Sequence, residues 1–469
     1  MKIIRRLRDA LLAAGAVTAA AAASSGSARA QAPDLGLHPS LSESKSPVAD
    51  APPPPQTNFQ HLFGTWGGTR TWLLEHGIDL IPGYIMEAAG NPVGGLRQGS
   101  DYVGRVGLEA DIDWDTLAGI PGFKTYTFVI AKFGRDLSAD YIGKDPYSVE
   151  ELYGSIGTLI KLQYAYATLD LDNKNIQLGL GRLNHALLFD TSPIYCSFLS
   201  LAICAVPRLM PGGDGDGFYN SAKTNWGGYV RYRPTVDTYI QVGAFESTPL
   251  HGGHSGFNFS SNEDVGANFP FQVAWQPGGG AGQLPTHIFA GGYYDTSPYP
   301  DVYTDENGNP IALTGMHGKN DHGHTAYWFG ADQMIWRNDA PANAGMVLFV
   351  NYSATDPHIS LYSDQVTVGF EDVGQVPGRP GDSFGAQFTR ADQSKYLREE
   401  EELQLAAGRG LPKGVYGIQS TEMIAELQYS FRVVPGVDVQ PDTQYIIHPG
   451  STKAIPDAWV LALRARVTF

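Results

Sequence analysis

Trp459-Val460-Leu461-Ala462-Leu463-Arg464-Ala465-Arg466-Val467-Thr468-Phe469 alternates without a break. Trp459, Leu461, Leu463, Ala465, Val467 and Phe469 share one face, while Ala458, Val460, Ala462, Arg464, Arg466 and Thr468 share the other. Side chains of a strand point to opposite faces with period two, so the first face suits lipid and the second suits water. Working back along the chain, Met423, Ala425, Leu427, Tyr429 and Phe431 alternate with Glu422, Ile424, Glu426, Gln428 and Ser430. Val437, Val439, Thr443, Tyr445 and Ile447 alternate with Asp438, Gln440, Asp442 and Gln444. Near the other end, Tyr102, Gly104, Val106, Leu108, Ala110 and Ile112 alternate with Val103, Arg105, Gly107, Glu109, Asp111 and Asp113.

A soluble antiparallel sheet alternates too, so the pattern alone leaves sandwich and barrel open. Three features decide for the barrel. Charges of both signs share one face, aromatics recur at strand ends as interfacial girdles do, and the last strand is apolar and ends on Phe469. Roughly 390 residues at roughly 24 per strand with its loops make about 16 strands, enough to leave an aqueous channel instead of a packed core. The expected fold is therefore an all-β, antiparallel transmembrane β-barrel.

The first residues carry Lys2, Arg5, Arg6 and Arg8, then an apolar stretch from Ala10 to Ala23, then small residues ending in Ala28-Arg29-Ala30. This is the order of a secretory signal peptide over residues 1–30, with cleavage between Ala30 and Gln31. The apolar stretch is shorter than the ~20 residues of a membrane-spanning helix. Residues 31–57, with Pro52-Pro53-Pro54-Pro55, read as a disordered spacer, and residues 58–469 as the barrel. At its start, Thr65 is placed to cap a helix and Gly77 to end it, which predicts one short helix of about three turns.

Composition narrows the function classes. The chain holds 56 Gly, 24 Tyr, 21 Phe and 8 Trp, only 17% of it is charged, and its formal charge is −16. That balance argues against nucleic-acid binding, which needs basic surface to replace counterions. Cys196 and Cys204 read as one loop-closing disulfide in an oxidising compartment; a zinc site would need two further ligands, and none is spaced for it.

Enzyme signatures are missing: there is no His-Glu-x-x-His, no Gly-x-Ser-x-Gly and no phosphate-binding Gly-x-x-x-x-Gly-Lys loop. His317, His322 and His324, like His251 and His254, read as solvated loop histidines. Asp305, Asn307 and Asn309 begin like a calcium loop, but Pro310 stands where glycine is needed; Asp214-Gly215-Asp216-Gly217 is a similar turn. Leu397 to Leu405 reads as a solvated helix with an acidic face. No metal and no cofactor is expected.

From Leu62 to Phe469 the chain resembles the OprB family of carbohydrate-selective porins. The resemblance rests on Gly64-Thr65-Trp66-Gly67-Gly68-Thr69-Arg70 with Gly77-Ile78-Asp79, and on Tyr84, Glu87, Asn91, Gly94 and Gly95. Leu180-Gly181-Arg182, Phe189, Tyr195-Cys196-Ser197-Phe198, Cys204 and Pro207 are similar to that family's cysteine-bearing constriction segment, which Trp226-Gly227, Gln241-Val242-Gly243 and Pro249 continue. Pro377-Gly378-Arg379-Pro380 with Asp382, Glu422 with Glu426-Leu427-Gln428-Tyr429, and Gln440-Pro441-Asp442-Thr443-Gln444-Tyr445 complete it. The chain departs from the pattern in its Pro-rich spacer and at Gln272, where glutamate is expected.

The resemblance implies a Gram-negative outer-membrane channel for monosaccharides. A sugar hydroxyl donates and accepts, so a wall mixing arginine with carboxylates replaces its water shell without trapping it. By strand parity the expected lining is Glu87, Arg105, Glu109, Asp111, Arg182, Arg231, Arg233, Glu422, Glu426, Gln440, Gln444, Arg464 and Arg466, and a one-residue slip inverts any of these. Arg379 and Asp382 either fold inward or form a surface turn, and Trp226 suits a girdle. The partners expected are small sugars, outer-membrane lipid, the barrel assembly machinery acting on the strand that ends in Phe469, and further copies in a homotrimer. A general or anion-preferring porin is the alternative. A secreted carbohydrate-active enzyme needs opposed carboxylates, and Glu422 and Glu426 stand roughly 13 Å apart along one strand face, too far for that pairing.

Overall fold

Sixteen antiparallel strands close on themselves, each hydrogen-bonded to its sequence neighbours and the last to the first. The computed structural model describes residues 61–143, 147–152, 159–172, 174–183, 185–204, 224–248, 255–262, 264–277, 284–337 and 345–469. The expected leader, the Ala30/Gln31 cleavage point, the spacer, Pro207, Asp214-Gly215-Asp216-Gly217, Pro249, His251 and His254 lie outside these residues.

The strands are β1 (Ile78–Val93), β2 (Gly99–Asp113), β3 (Phe123–Gly134), β4 (Leu159–Leu171), β5 (Ile176–Leu183), β6 (Asn225–Thr235), β7 (Thr238–Ser247) and β8 (Gly266–Trp275). They continue as β9 (Thr286–Asp305), β10 (Gly318–Arg337), β11 (Gly345–Thr355), β12 (Tyr362–Val373), β13 (Ser383–Gln393), β14 (Thr421–Val434), β15 (Val437–Ile447) and β16 (Ala458–Thr468). Helices α1 (Thr69–Glu75), α2 (Trp114–Ala118), α3 (Ile311–Thr314) and α4 (Lys395–Ala406) lie between strands or before the first. Short turns, as at 236–237 and 435–436, gather at the rim where β1 begins and β16 ends; the longer connections gather at the other.

Closure comes from β1 meeting β16 in a register running from Gly83↔Thr468 through Glu87↔Arg464 to Gly90↔Leu461. Side chains on one parity are exposed, as at Trp459, Leu461, Leu463, Leu427, Val106 and Leu108, and those on the other are buried, as at Arg464, Glu426 and Arg105. A closed barrel has no unpaired edge, which is the condition a strand must meet to cross hydrocarbon.

Helix α1 is shorter than the sequence suggests. Gly67 and Gly68 take positive φ and break the segment into a single 3₁₀ turn and a seven-residue helix, and Thr65 contributes its carbonyl, not its side chain, to the amides of Gly68 and Arg70. Arg70 then reaches over the closing seam to the carbonyl oxygens of Phe469 (2.8 Å) and Leu80 (3.3 Å), while the Phe63 ring stacks on Phe469.

Two loop readings also change. His322 and His324 lie within β10 because the β9–β10 hairpin stands taller than expected; His324 is fully buried between Tyr293 Oη (3.0 Å) and Thr355 Oγ1 (2.7 Å). Helix α4, capped by Ser394 Oγ, buries Glu400 and Glu401 instead of solvating its acidic face, and Glu401 accepts the Gln419 amide at 2.6 Å. Asp305 behaves as a turn residue, its carboxylate accepting the amides of Asn307 and Asn309.

Leu463 stands midway along β16 on the exposed face. Leu463→Arg is expected to lower the stability of the folded barrel by about 2–4 kcal/mol in lipid vesicles, measured by urea titration. An unchanged midpoint would mean that this face does not meet hydrocarbon.

Candidate functional site: the segments inside the barrel

The inner face does not surround an empty tube. Residues 185–204, which hold the Cys196–Cys204 disulfide, bond to strands all around the ring. Gln241 on β7 donates to Leu188 O (2.9 Å), Gln272 on β8 accepts the Asp190 amide (2.9 Å), and Asn351 on β11 donates to Asp190 Oδ1 (2.7 Å). Gln365 on β12 donates to Ala202 O (2.6 Å), and Gln387 on β13 to Ser200 Oγ (3.1 Å). Glu426 on β14 accepts the amides of Leu199 (2.7 Å) and Ser200 (3.0 Å). Gln440 on β15 donates to Ser197 O (2.7 Å), and Arg464 on β16 to Phe198 O (3.1 Å). A segment touching β7, β8 and β11 through β16 at once lies within the ring.

A second segment, described at 135–143 and 147–152, packs on the first through the Leu201 amide and Ser148 O (2.9 Å). Gln444 holds it by Val149 O (2.9 Å), and Glu87 accepts the Leu152 amide (3.0 Å). Its Glu151 meets Arg464 Nη2 at 2.7 Å, and Arg464 Nε meets Glu87 at 2.7 Å, so one guanidinium joins both carboxylates. Arg466 lies 3.8 Å from Glu151 and donates to Cys196 O at 3.2 Å.

The two sides of the interior differ. On β16, β1, β2 and β3 the inward groups include the charged Arg464, Arg466, Glu87, Arg105 and Lys132 together with the apolar Ile85, Val103, Phe128 and Ile130. Arg105 pairs in register with Lys132 on one side and Ile85 on the other, and Ile85 pairs with Arg466, so three cations share one transverse row. The Arg105 guanidinium lies 5.9 Å from the Phe128 ring centroid, and its Nε and one Nη have no protein hydrogen-bond partner. On β7, β9, β10 and β11 the inward groups are mainly aromatic, Tyr239, Phe245, Phe289, Tyr293, Trp328 and Phe349, with the acids Asp295 and Asp332 among them, and Phe189, Tyr195 and Phe198 pack against the rings. Gly330 makes room for the Phe289 ring, since a Cβ there would stand 2.0 Å from it.

Of the residues expected from sequence, Glu87, Arg105, Glu109, Asp111, Arg231, Arg233, Glu422, Glu426, Gln440, Gln444, Arg464 and Arg466 stand on the inward parity. Glu109 accepts a hydrogen bond from Tyr164 (2.5 Å), Arg231 donates to Gln241 (2.5 Å), Arg233 sits at the turn rim, and Glu422 accepts the Ser451 amide (3.3 Å). Arg182 is a correction. It pairs with Trp226 and shares its parity with Leu180, which is 68% exposed, so it belongs to the outer face. Arg379 and Asp382 do not fold inward either: they pair within the β12–β13 turn, where Asp382 accepts Tyr429 Oη (2.6 Å) and Arg379 lies over Phe431, both outward residues.

Sequence reasoning missed Lys132, Asn351, Gln365, Gln387 and the aromatic residues, although their strands alternate and parity would have found them, and it named Gln272 only as a departure from the family pattern. Glu151 carries no such signal. Gln272, where glutamate was expected, uses its amide both ways: Nε2 donates to Tyr239 Oη (2.7 Å), while Oε1 accepts from Asp190 N and from Trp328 Nε1 (2.9 Å).

Within the second segment Glu150 accepts the Leu137 amide (2.9 Å), and burial pushes its carboxyl up to about 9. A folded-state value above the unfolded one gives stability that is complete below about pH 4 and is lost as pH rises toward about 9. Glu150→Gln, which keeps an acceptor but cannot ionise, is expected to flatten the fall in melting temperature between those limits. Parallel slopes for the two proteins would contradict the burial of this carboxyl.

The chain matches the model of a family described as "Carbohydrate-selective porin, OprB family" over residues 97–469. It is 30% identical over 424 residues to Porin B of Pseudomonas aeruginosa, covering 88% of this chain and 92% of that protein. It is 26% identical over 428 residues to "Putative porin QuiX" of Acinetobacter baylyi, covering 87% and 93%. Its fold is similar to the high-pH structure of Pseudomonas putida OprB, with a TM-score of 0.82 and 30% identity over 87% of this chain and 98% of that one.

Proposed function

Since the chain belongs to the carbohydrate-selective porins of the OprB family, whose members are channels and not enzymes, we propose that it passes small neutral carbohydrates of the glucose type by passive diffusion across the outer membrane of a Gram-negative cell. One observation carries the substrate class. The inserted segments run between a charged wall and an aromatic wall, and a pyranose has matching surfaces, a rim of hydroxyls and faces of C–H. Hydroxyls exchange hydrogen bonds with arginine and carboxylate, and C–H faces lie against rings, so the solute sheds water without being held.

Many inward polar groups hold the inserted segments; Arg105, whose Nε and one Nη have no protein hydrogen-bond partner, is the group proposed to meet solute, in one row with Lys132 and Arg466. That row also supports a second reading, a porin preferring anions, because its three cations outnumber the two carboxylates, Glu151 and Glu87, that act on them. The exposed apolar face supports contact with outer-membrane lipid, and β16 supports recognition by the barrel assembly machinery. Assembly into a homotrimer is proposed with them, to be read from the mass of the detergent-solubilised protein.

Swelling of proteoliposomes in a panel of isotonic solutes tests the reading. Glucose is expected to enter faster than a trisaccharide and at least as fast as gluconate. Faster entry of gluconate would favour the anion-preferring channel, and no swelling in any sugar would refute the proposal.

A further inference from the structure

Strand β5 leaves the wall at Leu183 and β6 rejoins it at Asn225, so the disulfide-bearing segment hangs from two stems. Besides its bonds to the wall strands, the segment's path depends on how the chain is held where it leaves the wall and where it rejoins it. Arg182, on the last turn of the entry stem, donates from Nη1 to Glu246 Oε1 at 2.8 Å and from Nη2 to the carbonyl oxygen of Thr224 on the exit stem. Glu246 Oε1 also accepts the Trp226 amide (2.7 Å), and the Glu246 carbonyl accepts Asn225 Nδ2 (2.8 Å). The Arg182 guanidinium lies 5.8 Å from the Trp226 ring centroid. These contacts tie the end of β5, the start of β6 and the end of β7 at one point.

The tie is placed where charge is costly. Arg182, Trp226 and Glu246 all have outward parity, yet the Arg182 and Glu246 side chains are only 1% and 8% exposed. A charge on the lipid-facing side of a barrel is costly near mid-depth and less so toward the rim. Here residues 255–262 and Asp264 come close to the pair. Ser255 O accepts the Leu162 amide (2.8 Å), Phe259 O accepts Trp226 Nε1 (3.2 Å), and Asp264 adds a second carboxylate within reach of Arg182 and Glu246. The rim pair Arg379–Asp382 has similar chemistry, but its arginine is 45% exposed and it touches neither inserted segment.

We propose that Arg182 and Glu246 are positioning residues for transport: a staple on the outside of the wall that fixes both stems of the inserted segment and so sets the shape of the passage inside. A buried ion pair contributes little net stability against an apolar replacement, but it specifies one geometry, which is what the stems require. The proposal rests on the reading of the inserted segment as the selective element of a sugar channel.

Arg182→Gln, Glu246→Gln and the double variant, with Arg379→Gln as the control, test it in planar bilayers after each is shown to give a heat-modifiable folded band. The single variants are expected to raise open-channel current noise and to shift the glucose concentration for half-block by roughly threefold or more. The double variant is expected to be no worse than the worse single, and Arg379→Gln to match the unaltered protein. Folded staple variants with unaltered noise and half-block would overturn the proposal, as would additive effects. If a Gln variant does not fold, Arg182→Lys and Glu246→Asp keep the charge and change the reach. Raised noise in them supports the staple, and unaltered noise overturns it. Should glucose fail to block the unaltered channel, the sugar reading fails, and the noise comparison still decides the staple.

Discussion

In hydrocarbon a backbone amide has no water to turn to, so a sheet survives there only if its first strand finds its last. This chain meets the requirement where β1 pairs with β16, and the pairing sets Glu87 directly opposite Arg464 on the inner face. Their 2.7 Å contact crosses the seam, and the same guanidinium extends to Glu151 of one inserted segment and to Phe198 O of the other. Barrel closure and the seating of the lumen therefore share one side chain. A register slip of one residue would turn Arg464 outward and Leu463 inward, exchanging the two environments along the whole seam.

From closure follows the division of labour among inward residues. Polar side chains on β7, β8 and β11 through β16 act chiefly as backbone partners for chain that has left the sheet, as Glu426 does for Leu199 and Ser200 and Gln440 for Ser197. Buried amides of an irregular segment need such partners, and in a lumen the strands are the available source. Aromatic residues on β7 and β9 through β11 give the opposite side of the segment an apolar floor. The other inward residues include the transverse row Arg466, Ile85, Arg105 and Lys132 and the aromatic rings.

The fold was legible because period two is unambiguous wherever one parity is apolar and the other charged, as in Ala458–Thr468, Thr421–Phe431 and Tyr102–Asp113. Parity with Leu180 puts Arg182 outside, and the expectation that an arginine faces water overrides it wrongly, because a nearby loop and a carboxylate let it lie there. Length was misjudged at the β9–β10 hairpin, where polar His322 and His324 hid a strand that rises past the apolar belt. For Arg379 and Asp382 the sequence leaves an inward fold and a surface turn both open, and it is the contacts of Asp382 with Tyr429 and Arg432 that hold it to the turn. Glu151 was invisible, since nothing local to a loop says which strand its carboxylate will meet.

The measurement that bears most directly on this account is the current through one reconstituted barrel while glucose is added at constant salt. A solute that lodges between the charged and aromatic walls should lower the current along a saturable, reversible curve. A current that follows only the conductivity of the solution, with no saturation, would mean that sugar does not meet those walls.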